Sequence, residues 1–283
     1  MLKANDTMFL FYLEMMDFFV KYLSEKYPNS SSIEDTKHYQ AIIVGKIVQM
    51  FHTLKLLTEN TLDEVSARCL LRCIFDSVTA YCFVYQRDDK DEILFRHYLY
   101  VLDGWRNYKR NVLSISEENE FKLKEEYACD FVIKQIEEKL DNHPYRKIDA
   151  DIVNIIIKDA NWKYESFQNA HGLKFSEMYS ILGFHCGDVG YLQGNLSQFV
   201  HGLSLSNRQQ ADKEQMKRVV YESILIADRF IKAIYQTYHD KEMVTQFLSS
   251  DIIEKFQESE EFNFDELAEF VNALVRKDKT ILI

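Results

Sequence analysis

The chain has 283 residues, 47% of them apolar and 14% aromatic, and a net charge of −11. A chain of this length buries roughly 75% of its unfolded surface, and its apolar content excludes a disordered polymer. The acidic balance disfavours non-specific binding to nucleic acid or anionic membranes, because both rely on a basic surface.

Two prolines and eight glycines punctuate the whole length. An all-β or doubly wound chain needs far more turns, so the expected class is all-α, a multi-helix bundle. The first helix is expected over residues 4–26. Phe9, Tyr12, Met16, Phe19 and Leu23 mark its dry side, and Glu14, Asp17 and Lys21 its wet stripe. Because Glu14 and Asp17 interrupt it and no small-residue cleavage site follows, it reads as a core helix rather than a signal peptide. Tyr27–Ser32 is a loop by composition, and a second helix is expected over 35–58 with Ile43, Ile47, Met50, Phe51, Leu54 and Leu57 inward. No run reaches the ~20 uncharged apolar residues that span a bilayer.

The third helix, Leu62 to Gln86, organises the rest. Between Val65 and Tyr85 its charged residues are Arg68, Arg72 and Asp76, at spacing i, i+4, i+8. They stack as one narrow stripe on a cylinder that is otherwise mostly apolar. A helix of this kind is a buried post, and a buried charge without a partner costs several kcal/mol, so the stripe must meet partners. Thr61 and Glu64 form a capping box at its start. Cys69, Cys73 and Cys82 lie on the post, and with Cys129 and Cys186 they make an odd total of five. Free thiols in a reducing cytoplasm are the expected state.

A fourth helix is expected from a cap at Asp88 or Asp89 to about Val112. It carries Arg96, Arg106, Lys109 and Arg110, read as a solvated face offset by acids. Ser114 and Glu117 form a second capping box, opening a long charged helix to Leu140. Phe121, Ala128, Phe131, Val132 and Ile136 are its narrow apolar edge, and Asn142-His143-Pro144 ends it. From Ile148 to Gly172 the pattern weakens, and Ile152–Ile157 reads as a helical turn or two or as a short strand. Helix resumes from Phe175 to about Leu203, in two pieces, and again over 211–239 with Val220, Ile224, Ala227, Ile231, Ile234 and Tyr238 inward. Two last helices are expected near 242–258 and 264–278. The domain reading is one bundle over 1–241, with its core at 62–239, and a C-terminal helical hairpin at 242–283 packed on it.

Five of the eight glycines fall between Tyr179 and Asn207, and no charge occurs between Asp188 and Arg208. Such a segment is buried, closely approached or broken. Ser197 and His201 share one face of it at i, i+4, with Asn195 nearby. Two buried segments in one bundle touch, which implies a polar cluster of Arg72, Asp76, Ser197 and His201. Its bland reading, helix register, outweighs its chemical one.

The pairing of LLRCIFDS (Leu70–Ser77) with NLSQFVHG (Asn195–Gly202) resembles a family of uncharacterised bacterial helical proteins. Its members read L-x-R-x-x-x-E and, much later, L-S-x-x-x-H-G. That family is similar to the HEPN superfamily of compact, usually dimeric helical bundles, many of them metal-independent ribonucleases of toxin–antitoxin or phage-defence systems. The resemblance implies a homodimer with an RNA or protein partner, no cofactor, and His201 as general acid/base. Two positions depart from it. Asn195 stands where the active motif has arginine, and Asp76 where the family has glutamate. Arg72 would then have to supply the missing cation. The expected function is therefore a non-catalytic HEPN-like binding module, with a ribonuclease or toxin using His201, Arg72 and Asn195 as the alternative.

Other chemistries find little support. No Glu-x-x-His pair for a di-iron centre and no Gly-rich phosphate loop is present. Asp35-x-x-His38 and His239-x-x-Glu242 fall at expected helix ends, and His171, His185 and Cys186 would bind zinc only by coincidence of fold, so no metal site is expected. Tyr98, Tyr100, Trp105 and Tyr108 stand beside basic residues in the manner of a base-stacking platform, but helical spacing of aromatics is more often core. No membrane partner is expected.

Overall fold

A computed structural model of the chain describes residues 2–30, 32–147, 150–183, 186–200 and 212–257. It is mostly helical, with one small two-stranded hairpin among the described residues. In order the elements are α1 (Leu2–Lys26), α2 (Thr36–Asn60), α3 (Glu64–Tyr85), α4 (Lys90–Leu113), α5 (Glu120–Asp141) and α6 (Ala150–Lys158). The strands β1 (Tyr164–Ser166) and β2 (Asn169–Gly172) follow, then α7 (Phe175–Met178), α8 (Cys186–Val200), α9 (Lys213–Tyr238), α10 (Lys241–Leu248) and α11 (Asp251–Gln257). The helix expected over 264–278 lies outside the described residues. Contacts divide the chain into two compact units: one holds α1, α2, α3 up to Cys82 and α7 onward, the other Ser31–Thr36 and Phe83–Lys174.

In the first unit the dry side of α1 is as expected: Phe9, Tyr12, Met16, Phe19 and Leu23 are all buried. The ring of Phe51 on α2 meets Phe9 at 6.4 Å and Phe230 of α9 at 6.5 Å. By length and composition α2 is apolar enough to cross a membrane, yet its Val44, Ile47, Val48, Phe51 and Leu54 row is buried in the protein. Phe247 of α10 sits against Phe11, Phe18 and Phe19 at 5.9, 5.5 and 6.0 Å. Asp240 caps α10 and binds Lys26 at 2.6 Å. Burial alone would raise the Asp240 carboxyl, but Lys26 and Tyr22 outweigh it and hold the group below its ordinary value.

In the second unit, the pairs Lys109–Asp130 (2.5 Å) and Arg106–Glu137 (2.8 Å) run in opposite order along α4 and α5, so these helices are antiparallel. Asn119, not Ser114, caps α5, accepting from the Lys122 amide at 2.8 Å, so the helix starts later than the capping box implied. Phe121 and Phe131, expected on its apolar edge, are 58% and 55% exposed instead. The ambiguous stretch after Ile148 resolves into helix α6 and, beyond it, the antiparallel pair β1–β2.

Arg96 departs furthest from expectation. It is buried, not part of a solvated face. Its Nε donates to Glu92 at 2.8 Å, and its Nη1 donates to the carbonyls of Trp162 and Tyr164 at 3.0 and 3.1 Å. The guanidinium lies 3.8 Å over the Tyr164 ring and 4.6 Å over Phe83, which ties the hairpin to α4. Tyr98 is buried and Tyr108 donates to Glu125 at 2.8 Å, so these aromatic residues do not form an open stacking platform.

His97 is fully buried between the Tyr85 hydroxyl on Nδ1 (2.9 Å) and the Ile33 carbonyl on Nε2 (2.9 Å). Burial pushes the imidazole down from 6.5 to about 4, against a smaller opposing effect of Ile33. Below pH 6.5 the unfolded chain takes up a proton that the folded ring refuses until about pH 4. Stability therefore falls as pH drops through that window, by about 3 kcal/mol at its lower end. In urea titrations, wild-type protein should lose about 2 kcal/mol more than His97→Gln between pH 7 and pH 5. Equal losses would contradict the assignment.

Candidate functional site

The stripe on α3 does meet partners, and they come from segments far along the chain. α3 begins at Glu64, and the Asp63 carboxylate rather than Thr61 accepts from the Ser66 amide, at 3.0 Å. Glu64 is thereby released from the capping role the sequence implied. It turns inward and takes Arg68 Nε at 2.6 Å. Arg68 is 2% exposed. Its Nη1 reaches Glu222 at 3.0 Å and its Nη2 reaches Gln215 at 3.4 Å, both on α9, while the Phe199 ring of α8 lies 4.9 Å from the guanidinium carbon. Every nitrogen of the guanidinium is used. Burial raises the Glu222 carboxyl above its ordinary value, and the attraction of Arg68 offsets only part of that.

One turn on, Arg72 donates from Nε to Asp76 Oδ2 at 2.9 Å and from Nη1 to Ser197 Oγ of α8 at 3.3 Å. The other carboxylate oxygen, Asp76 Oδ1, accepts the Tyr179 hydroxyl at 2.6 Å. Tyr179 stacks on Phe75 with centroids 4.2 Å apart, and Arg72 lies 5.5 Å over its ring. Burial, then the bond to Asp76, pushes the Tyr179 phenol up, so it stays a donor. Tyr179 is placed by the break that the glycines signalled. A single 3-10 turn over Tyr179–Leu182 ends at Gly183, whose φ of 67° is left-handed backbone that glycine adopts freely.

Of the residues singled out in the sequence, the structure joins Arg72, Asp76 and Ser197. Asn195 is half-buried on α8 and takes no part in these bonds. Two residues from Ser197, it points roughly 200° around the helix. His201 lies outside the described residues. Tyr179, Glu64, Gln215 and Glu222 are the participants that sequence reasoning missed. Only the i−4 spacing of Glu64 to Arg68 carried a signal. Exposure grows along the stripe: the side chains of Arg72 and Asp76 are 15% and 30% exposed, and Cys73 beside them is exposed rather than buried. Among the described residues no group of three or more His, Cys, Asp or Glu side chains is arranged to hold a metal ion.

Comparison of the chain with protein-family models, curated proteins and solved structures finds no match.

The Arg68 network makes an asymmetric prediction. Arg68→Met leaves Glu64 and Glu222 facing each other in the interior and should cost about 3–5 kcal/mol in urea unfolding at pH 7. Glu222→Gln removes the carboxylate that burial already disfavours and should change stability by less than about 1 kcal/mol. Equal costs would contradict this reading of the pair.

Proposed function

We propose that this chain is a non-catalytic helical binding module of HEPN-like type, acting on a protein or nucleotide-containing partner. The observation that carries it is the commitment of Arg72. A guanidinium steadies phosphate charge through N–H donors aimed at the phosphate, so donors spent on other groups are not offered to it. Here Nε is held by a carboxylate, Nη1 by a hydroxyl, and the carboxylate itself is fixed from its far side by Tyr179. Two donors spent in this way suit the fixing of helix register. The amide of Asn195, turned to another face of α8, does not replace the missing cation.

One observation keeps the ribonuclease reading in view. Arg72 is partly open to solvent beside Ser197, which lies four residues before His201 in the chain. In that alternative His201 is the general acid/base of a metal-independent ribonuclease or toxin, and Arg72 leaves Asp76 to meet the phosphate.

The full chain and its His201→Ala variant, incubated with structured and single-stranded RNA in the presence of a chelator, separate the two. A binding module leaves RNA intact with either protein, and the two variants affect bacterial growth equally. RNA cleavage by the wild-type protein that falls by a hundredfold or more in His201→Ala overturns the proposal in favour of the ribonuclease.

A further inference from the structure

Cysteine is among the residues most often buried, and an open free thiol is better accounted for by its chemistry than by its packing. Cys82 and Cys129 follow the rule, at 1% and 0% exposure. Cys73 does not: it is exposed, and Cys69, one turn before it on α3, is half-buried. Residues four apart share one face of a helix, with Cβ atoms roughly 5–6 Å from each other. Val65 and Ser66, a turn further back, are exposed as well, so the two thiols lie on a side of α3 that the described residues leave uncovered.

The surroundings select the chemistry. The Cys69 thiol is held above its ordinary value, by burial first and then by Cys73 and Asp63. A nucleophilic or redox-sensing cysteine needs the opposite, a neighbouring cation that lowers the thiol. The cations nearest in sequence are engaged elsewhere: Arg68 pairs with Glu64 and Glu222, and Arg72 with Asp76. Repulsion among two thiolates and a nearby carboxylate is relieved instead by a cation set between the sulfurs. Zinc takes four ligands, and among the described residues no third His, Cys, Asp or Glu joins the pair. Copper(I) is soft, selects thiolate and is satisfied by two sulfurs in line. We propose that Cys69 and Cys73 form a two-thiolate site for copper(I) on the open side of α3.

Each sulfur turns about its own Cα–Cβ bond, so the pair closes on the ion while the helix backbone stays in place. A disulfide, by contrast, needs Cβ atoms within ~4.5 Å, which an undistorted helical turn does not provide. The binding step balances without electron transfer. Two thiols and one copper(I) ion give a copper dithiolate of charge −1 and two released protons. The site uses neither Arg72 nor His201, so it is independent of the proposed function.

Anaerobic titration of the full chain with copper(I), with ascorbate present and bicinchoninate as competitor, tests the site. The Cys186→Ser protein serves as the reference, so that this thiol does not compete; Cys82 and Cys129 are buried. The reference should take up one copper(I) ion per chain. Cys69→Ser and Cys73→Ser, each added to it, should weaken uptake by at least about a hundredfold, because one thiolate does not complete a two-coordinate ion. Cys73 is exposed, so Cys73→Ser should unfold with the reference in circular dichroism and carries the test even if Cys69→Ser is destabilised. Absence of uptake against the competitor overturns the proposal. So does uptake that Cys73→Ser weakens by less than about tenfold, or an ion shared between two chains.

Discussion

A guanidinium group lodged among apolar side chains is tolerated only where carboxylates and carbonyls meet its N–H donors, and α3 carries two. Arg68 and Arg72 sit on successive turns of α3, Arg68 buried and Arg72 15% exposed, on a helix that also shows Val65, Ser66 and Cys73 to solvent rather than being buried all round. What they bind decides which distant segments must come to α3. Arg68 draws in α9 through Glu222 and Gln215 and lies beside Phe199 of α8. Arg72 draws in Ser197 directly and Tyr179 through Asp76. Three stretches that the chain reaches only after more than a hundred further residues are thus located by one stripe of charge. The hydrophobic effect supplies most of the driving force, but it is non-directional. The stripe supplies the direction.

The same logic recurs in the second unit with a different helix. Arg96 on α4 gathers two carbonyls of the segment entering β1, and the rings of Tyr164 and Phe83 cover its faces. His97 beside it is satisfied on both nitrogens and held neutral by burial. Adjacent basic residues on one helix thus serve opposite ends, one keeping its charge by pairing and the other giving it up.

Much of this was legible in the sequence, and the boundary is a physical one. Helical periodicity placed the dry side of α1 and the inward row of α9, because burial of one face imposes a local 3.6-residue rhythm. It also showed that α3's charged stripe needed partners, and that Ser197 was among them. Identity of the remaining partners was not legible, since Arg68 and Glu222 are separated by 154 positions and leave no local trace. Local signals also compete. Ser114 and Asn119 are both competent N-caps a short distance apart, but Ser114 is taken up as the C-cap of α4, its N–H on the carbonyls of Arg110 and Asn111, and Asn119 caps α5. Glu64 fits a capping box and an i, i+4 ion pair equally well, and the buried guanidinium, more costly to leave unmet than a helix end, took it. Phe121 and Phe131 misled for another reason. Aromatic residues at helical spacing signal burial against something, and on α5 Phe121 and Phe131 remain 58% and 55% exposed.

The account stands on α3 being bound through Asp76 to the turn that precedes α8. A double-mutant cycle on that contact, Asp76→Ala and Tyr179→Phe measured singly and together by urea unfolding at pH 7, isolates it directly. A charged, largely dry hydrogen bond should show as a coupling of about 1–2 kcal/mol. Additivity of the two substitutions within about 0.3 kcal/mol would mean that the contact does not hold these segments together.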